Sequence, residues 1–303
     1  MIVFTSIGLN YLPKARILNK TLKKHHPDWE VHLLVSDRID YGLEKYLLEL
    51  LQEFDKVFFL DDLEIPDKAE WIKKHNIVEL CTAVKGPYLK KLVLEGADKI
   101  MYIDPDIAVI NGLSPLESLL DNYSILLTPH LVTPPTRTNS ILDNEIAGCM
   151  RHGIFNLGFL AINGKHEQGK EFAEWWNNRL IDYCYADYEK GLFTDQKWCD
   201  FVPAYFSNLK IVSDPGYNVA SWNLDCRVLS YSENGQILVN SEFPLRFYHF
   251  TGYDSGAGLS VMQSHFGEKS GDVPMDLWEW YERMLEYYKI DELQGRKWNL
   301  ASN

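Results

Sequence analysis

The stretch Lys99-Ile100-Met101-Tyr102-Ile103-Asp104-Pro105-Asp106 decides how this chain is read. Residues 99–103 are apolar and β-prone, the pattern of a strand buried on both faces. The run stops at two aspartates around a proline. Pro105 has a fixed φ and no N–H, so it stiffens the turn. In extended backbone, residues i and i+2 point the same way. Asp104 and Asp106 can then present their carboxylates together, a hard oxygen site suited to Mg²⁺ or Mn²⁺. The bland alternative is a polar loop closing a buried strand, and Asp-x-Asp alone does not choose between them.

The N-terminal side supplies the context. Strand patterns cover residues 2–6, 31–35 and 57–60, and helical spacing covers 11–25, 42–54, 68–75 and 79–95. In the first of these helices Leu12, Ala15, Leu18 and Leu22 share a face, and Pro13 falls in the first turn, where a missing N–H costs little. Strands alternating with helices predict βαβ units and a mainly parallel, doubly wound α/β sheet. Ligands of such sheets bind in the crevice at the carboxyl ends of the strands. Thr5-Ser6, Ser36-Asp37 and Asp104-Pro105-Asp106 all stand at such ends.

The second half is less regular. Residues 129–138 read as a Pro/Thr-rich loop, 167–183 as an aromatic-rich helix, and 213–223 as turns. Strand-like runs occupy 239–250, and 254–258 is Gly-rich. Residues 276–288 read as a closing helix with Leu277, Trp280, Tyr281, Met284 and Tyr288 on or near one face. No repeat or low-complexity linker interrupts the chain, so one compact unit over 1–303 is expected.

Composition narrows the function classes. With 43 acidic and 30 basic residues the net charge is -13, which argues against a nucleic-acid partner but not against one phosphorylated ligand in a local site. The N-terminus reads as a first strand, not a signal peptide, and no apolar stretch suffices for a membrane span. Five scattered cysteines without zinc spacing suggest reduced thiols in the cytoplasm.

Three further segments carry polar groups. His249, in Tyr248-His249-Phe250-Thr251-Gly252, can supply a nitrogen ligand to the same ion, or be a satisfied structural histidine. In Thr194-Asp195-Gln196 a carboxylate beside an amide suits sugar hydroxyls; Thr194 as a helix N-cap is the compatible local reading. Phe155-Asn156-Leu157-Gly158 reads as a turn entering a strand at 159–162, with Asn156 within reach of a ligand.

In this order these segments resemble the GT-A glycosyltransferases, most closely glycosyltransferase family 8. Thr5-Ser6 with Tyr11 resembles the nucleotide-binding strand and loop, and Asp104-Pro105-Asp106 the metal motif. Phe155-Asn156-Leu157-Gly158, Asp195-Gln196 and His249-Phe250-Thr251-Gly252 resemble three later motifs. Residues 79–85 and 213–220 resemble a bacterial branch associated with surface-polysaccharide genes.

The resemblance implies a GT-A fold with a nucleotide-binding half (1–110), a donor-sugar and acceptor half (111–255) and a C-terminal helical extension (256–303). It implies Mn²⁺ or Mg²⁺ held by Asp104, Asp106 and His249. Tyr11 would stack on the base, and Thr5, Ser6 and Asp37 would hold base or ribose. Lys85 would face diphosphate or sugar, with Gly252 also on the donor side. Asn156, Asp195 and Gln196 would line the sugar, Gln196 near the anomeric carbon. The family retains configuration, and a UDP-sugar is the favoured donor. Where the family continues with Lys-Pro-Trp, this chain has Tyr253-Asp254-Ser255-Gly256, which leaves the diphosphate to Lys85 or Lys14.

Tyr217, Trp222 and Asn223 are acceptor candidates, since aromatic faces and amides suit sugars, although Trp222 fits a core equally well. The expected acceptor is a glycan or a lipid-linked one, and the expected location is the cytoplasm. There an exposed stripe of the aromatic last helix could make peripheral contact with a membrane-bound acceptor at the inner membrane face. His130 receives no role. The competing readings are an inverting transferase with a carboxylate base, and a silent nucleotide-sugar-binding or nucleotidyltransferase-like domain.

Overall fold

The computed structural model describes residues 1–37, 44–266, 272–288 and 293. Strand β1 (Ile2–Ile7) passes through a 3₁₀ turn (Leu9–Tyr11) into helix α1 (Leu12–His25), with Pro13 in its first turn. Then come β2 (Glu30–Val35), α2 (Glu44–Leu51) and β3 (Lys56–Phe59). The helix start read at Gly42 lies outside the described residues. Helices α3 (Lys68–Lys73), α4 (Ile77–Ala83) and α5 (Lys85–Leu94) lead to β4 (Lys99–Ile103). The helix read over 79–95 thus begins earlier and is divided at Val84. Asn76 sets its start: its side chain accepts from the Glu79 N–H (3.0 Å) while Glu79 accepts from the Asn76 N–H (3.0 Å), a capping box.

After β4 come β5 (Ile107–Val109), α6 (Ser114–Leu119) and β6 (Ile125–Pro129). A short α7 (Thr138–Ser140) runs into a π-helix, Ile141–Met150, which the sequence pattern does not announce. Strand β7 (Phe155–Asn163) is continuous, so residues 155–158 are strand and not the turn expected from Asn156 and Gly158. Helix α8 (Glu167–Tyr183) stands where it was read. Then follow α9 (Val202–Tyr205), β8 (Leu209–Ile211), β9 (Val219–Ala220), β10 (Leu229–Tyr231), β11 (Ile237–Val239), β12 (Phe243–Pro244) and β13 (Phe247–His249). Helices α10 (Ala257–Phe266) and α11 (Asp272–Tyr287) follow, α10 starting within the Gly-rich stretch expected over 254–258.

The main sheet has the order β3-β2-β1-β4-β7-β6-β8. It is mostly parallel; β7 alone runs antiparallel to its neighbours β4 and β6. From β1 the chain winds outward to β3, then crosses to the other side of β1 to lay down β4. The winding reverses between β1 and β4, the crevice where open α/β sheets bind ligands. Because β7 is antiparallel, its first residues stand at the same edge as the last residues of β4, with Ile103 paired to Phe159.

Alternation along β1 divides the core. Val3 and Ile7 pack on one face with α1, while Phe4 packs on the other with Tyr88, Tyr102 and Trp176. A third core joins β13 to α11 through Tyr248, Phe250, Trp278 and Tyr281, the Phe250 and Tyr281 rings lying parallel with centroids 3.9 Å apart. Trp280 and Met284, grouped with Tyr281 from the sequence, are only half-buried.

Candidate functional site

A cleft of about 610 Å³ opens at this switch point. The ends of β1, β4 and β7, helix α4, the π-helix and residues 193–196 line it. A second small sheet, β5-β13-β9, completes one wall. Strand β5 leaves directly from the Asp104-Pro105-Asp106 turn, and β13 pairs with it so that His249 faces Ile107. The Phe250 N–H donates to the Asp106 carbonyl (2.8 Å). That register carries His249 across 143 residues of sequence to the aspartates.

Ligand atoms of Asp104, Asp106 and His249 lie within 4.8 Å of one another. His249 Nε2 is 3.1 Å from Asp106 Oδ1 and 3.8 Å from Asp104 Oδ2. Burial works against charge on Asp106, yet His249 beside it, with Lys14 behind, holds the carboxyl below its usual range. Burial likewise opposes charge on His249, and Asp106 overcomes it and raises the imidazole. Gly158 makes room for the ring: a Cβ there would fall 2.6 Å from His249 Cε1 and 2.8 Å from Nδ1.

Beside the triad lies a second charged group. Lys85, at the start of α5, is buried with Nζ 2.9 Å from Asp195 Oδ2 and 3.4 Å from Asp104 Oδ1. Burial disfavours its charge, but the two carboxylates raise its pKa and keep it an ammonium. The Tyr102 hydroxyl donates to Asp104, and the Tyr102 ring lies 4.0 Å below Lys85 Nζ. No motif marks Tyr102, although alternation places it two residues before Asp104, on the same side.

Gln196 is held at both ends. Its Oε1 accepts from the Leu157 N–H (3.0 Å) and its Nε2 donates to the His152 carbonyl (3.1 Å). Asn156 donates to His130 Nε2 (3.2 Å) and accepts from the Gly158 N–H (3.1 Å). Thr194 takes a left-handed φ of 43° and does not cap a helix; its hydroxyl donates to Asp195 Oδ1 (3.2 Å).

The structure brings Ser6, Tyr11, Lys85, Asp104, Asp106, Asn156, Asp195, Gln196, Trp222 and His249 into one cleft. Ser6 Oγ and Thr5 Oγ1 are buried without a hydrogen-bond partner, Thr5 just behind the lining. Asp37 is also behind it, accepting from the Leu9 N–H (3.3 Å) and so supporting the loop after β1. Gly252 stands back from the wall in a turn with φ 70°, while Thr251 reaches the cleft.

Two expectations are corrected. Tyr217 is buried beneath the cleft against Phe247, with ring centroids 6.0 Å apart, because an apolar core takes its ring before a ligand can. Asn223 is fully buried and serves backbone, accepting from the Ala220 N–H (3.0 Å) and donating to the Asn218 carbonyl (3.0 Å). Conversely, Asn10, Asp143, Asn144, His152 and Phe193 line the cleft without a motif to announce them. All five cysteines are free thiols, and among the described residues no helix is long and apolar enough to cross a membrane.

No family model matches the chain. It is 27% identical over 289 residues to the uncharacterized protein YfnF of Bacillus subtilis (strain 168), covering 93% of this chain and 91% of that protein. It is 25% identical over 257 residues to YfnD of the same organism, covering 82% and 76%. Among solved structures it is similar to the galactosyltransferase LgtC in complex with donor and acceptor sugar analogs, at TM-score 0.51 and 17% identity over 83% of this chain and 87% of that one. It is also similar to the glycosyltransferase GlyE of Streptococcus pneumoniae TIGR4, at TM-score 0.51 and 15% identity over all of this chain and 65% of that one. The switch-point sheet and these likenesses together assign the chain the GT-A fold.

Proposed function

We propose that the chain is a divalent-metal-dependent glycosyltransferase that moves a sugar from a nucleotide-sugar, with UDP favoured, to a glycan or other acceptor. The observation that carries this is the convergence of Asp104, Asp106 and His249 at the switch point of a GT-A sheet. Two carboxylates and an imidazole suit Mn²⁺ or Mg²⁺. Adjacent ligands of an octahedral ion at about 2.1 Å lie roughly 3 Å apart, close to the spacing of His249 and Asp106. An ion held there supplies Lewis-acid stabilisation of charge on the leaving diphosphate.

The chain's own residues do the rest. The loop after β1 would receive the base beside Tyr11, with Thr5 and Ser6 at the ribose. One face of the Tyr11 ring already carries Lys14 Nζ, 4.1 Å from its centroid. Lys14 is paired with Asp254 (2.6 Å), in the segment where the family motif is absent. On this reading Lys14 and Lys85 are the cations available to the diphosphate. Gln196, fixed between Leu157 and His152, presents an oriented dipole to the sugar, and Asn156 lines it. We read the reaction as retaining, because the Asp195 carboxylate is occupied by Lys85 and is poorly placed to act as a free base. Residues 1–110, 111–255 and 256–303 would then be nucleotide half, sugar half and helical extension, in an enzyme of bacterial surface-polysaccharide synthesis.

A thermal-shift screen with UDP, GDP, dTDP and CMP, each with and without Mn²⁺, tests this first. A rise with one nucleotide that needs the metal and disappears in Asp104→Ala supports the reading. No rise with any nucleotide would remove it. NMR of the product's anomeric centre then decides between retention and inversion.

A further inference from the structure

The wall of the cleft built by the π-helix carries features that nucleotide and metal binding do not use. Asp143, Asn144 and Gly148 of this helix, and His152 just after it, line the cleft. A ten-residue π-helix is uncommon, and such helices concentrate at functional sites. Asn144 is only 7% exposed, yet its Nδ2 has no hydrogen-bond partner. Trp222 Nε1, also in the lining, is buried and unpartnered too. The Trp222 ring stands edge-on to His130 (5.7 Å) and to His249 (5.5 Å), which ties it to the triad. A buried donor left without an acceptor is destabilising, because it has given up its hydrogen bond to water. Two of them on one cleft are explained by a ligand that brings oxygen atoms to both.

The charge of the lining narrows that ligand. Among the described residues Lys85 is the one lysine or arginine that lines the cleft, and two carboxylates already hold it. Arg151, next to His152, lies over the Tyr188 ring at 4.0 Å and does not reach the lining. Burial pushes His130 down to about 4 and lowers His152, so both are neutral near pH 7. The wall therefore offers N–H donors, neutral imidazoles and the Asp143 carboxylate, and no cation for an anionic group.

We propose that the π-helix and Trp222 form the acceptor subsite, and that it takes an uncharged, hydroxyl-bearing sugar whose oxygens accept from Asn144 Nδ2 and Trp222 Nε1. This rests on the glycosyltransferase reading above and names the acceptor class for it.

The test uses the full chain, Mn²⁺ and the UDP-sugar that the enzyme hydrolyses fastest without acceptor. Acceptors are neutral methyl glycosides of common hexoses, the matching uronic acids and the matching 6-phosphates. Transfer to a neutral glycoside should exceed transfer to its charged counterparts at least about tenfold. Asn144→Ala and Trp222→Phe should each raise the acceptor KM about tenfold, well beyond any rise in donor KM. Preference for a charged acceptor overturns the proposal. Equal rises in donor and acceptor KM also overturn it, by giving this wall to the donor. If the wild-type chain neither hydrolyses a nucleotide-sugar nor binds a nucleotide with metal, the glycosyltransferase reading itself falls, a result separate from either of those.

Discussion

Two concavities among the described residues make an instructive contrast, and the larger is the poorer candidate. The first is the cleft of about 610 Å³ at the β1–β4 switch point. The other, of about 860 Å³, lies between the last turns of α1, strand β11 and helix α11. The larger one is lined by Lys20, Lys23, Lys24 and Arg283 around Val109, Leu277 and Trp280. Its buried Thr21 is already served, donating to the Ile17 carbonyl (2.8 Å), and the half-buried Lys23 pairs with Asp55 (2.7 Å). In the smaller cleft Ser6, Asn144 and Trp222 each keep a buried polar atom without a partner. Like charges also crowd there, with Asp104 and Asp195 both on Lys85 and Asp106 beside His249. Folding alone would not assemble these costs; a ligand that relieves them accounts for their position. Volume reports where chain packing left space, whereas unpaired polar chemistry reports where something binds.

The sharpest way to break this comparison is Asp106→Ala. On the proposed function it abolishes metal-dependent nucleotide binding and lowers turnover at least about 1000-fold, since a Lewis acid is worth several kcal/mol. Calorimetric titration of Mn²⁺ with UDP, followed by a transfer assay, checks it. Retained turnover would take the triad out of the mechanism.

Next in size is Lys85→Met. It strands Asp195 and Asp104 without their shared cation in a buried site, and should cost about 3–5 kcal/mol of stability. Urea unfolding measures this. Adding Asp195→Leu should recover part of the loss, because the orphaned carboxylate is then removed as well. Without recovery, the pair is not the reason for the instability.

Gly158→Ala should act more narrowly. The new Cβ meets the His249 ring at 2.6–2.8 Å, so the ring must move. Metal affinity should fall about 10- to 100-fold, as when a ligand's support is disturbed. An unchanged Mn²⁺ titration would show that His249 is not needed as placed. The smallest effect belongs to the other concavity. Lys20→Ser with Lys24→Ser should leave turnover unchanged, and stability within about 0.5 kcal/mol. A large loss of turnover there would reverse the ranking of the two sites.

The legible parts of the sequence were those where one local rule acts alone. Strand β4 and its two terminal aspartates follow from a buried apolar run broken by proline. The four leading strands follow from short apolar runs, and the helices between them from a period of 3.6. Gly158 shows how a local rule misleads. A glycine after asparagine reads as a turn, yet here it lies within a continuous strand, and its missing side chain admits His249. Tyr217 and Asn223 mislead in the same way, since an aromatic or an amide in a turn-rich segment looks the same whether it faces ligand or core. The π-helix has no periodic signature that separates it from loop or α-helix, so Asn144 could not be singled out.

By itself the sequence determined the doubly wound class and the carboxylate pair at a strand end. These depend on neighbours a few residues apart, whose relative directions the backbone dictates. Only the tertiary structure decided that His249 meets Asp106, that Lys85 lies between Asp104 and Asp195, and that Asn144 and Trp222 line one cleft. Those meetings span tens to more than a hundred residues. They are set by strand order and by the register of β13 on β5, which emerge when all three cores pack at once.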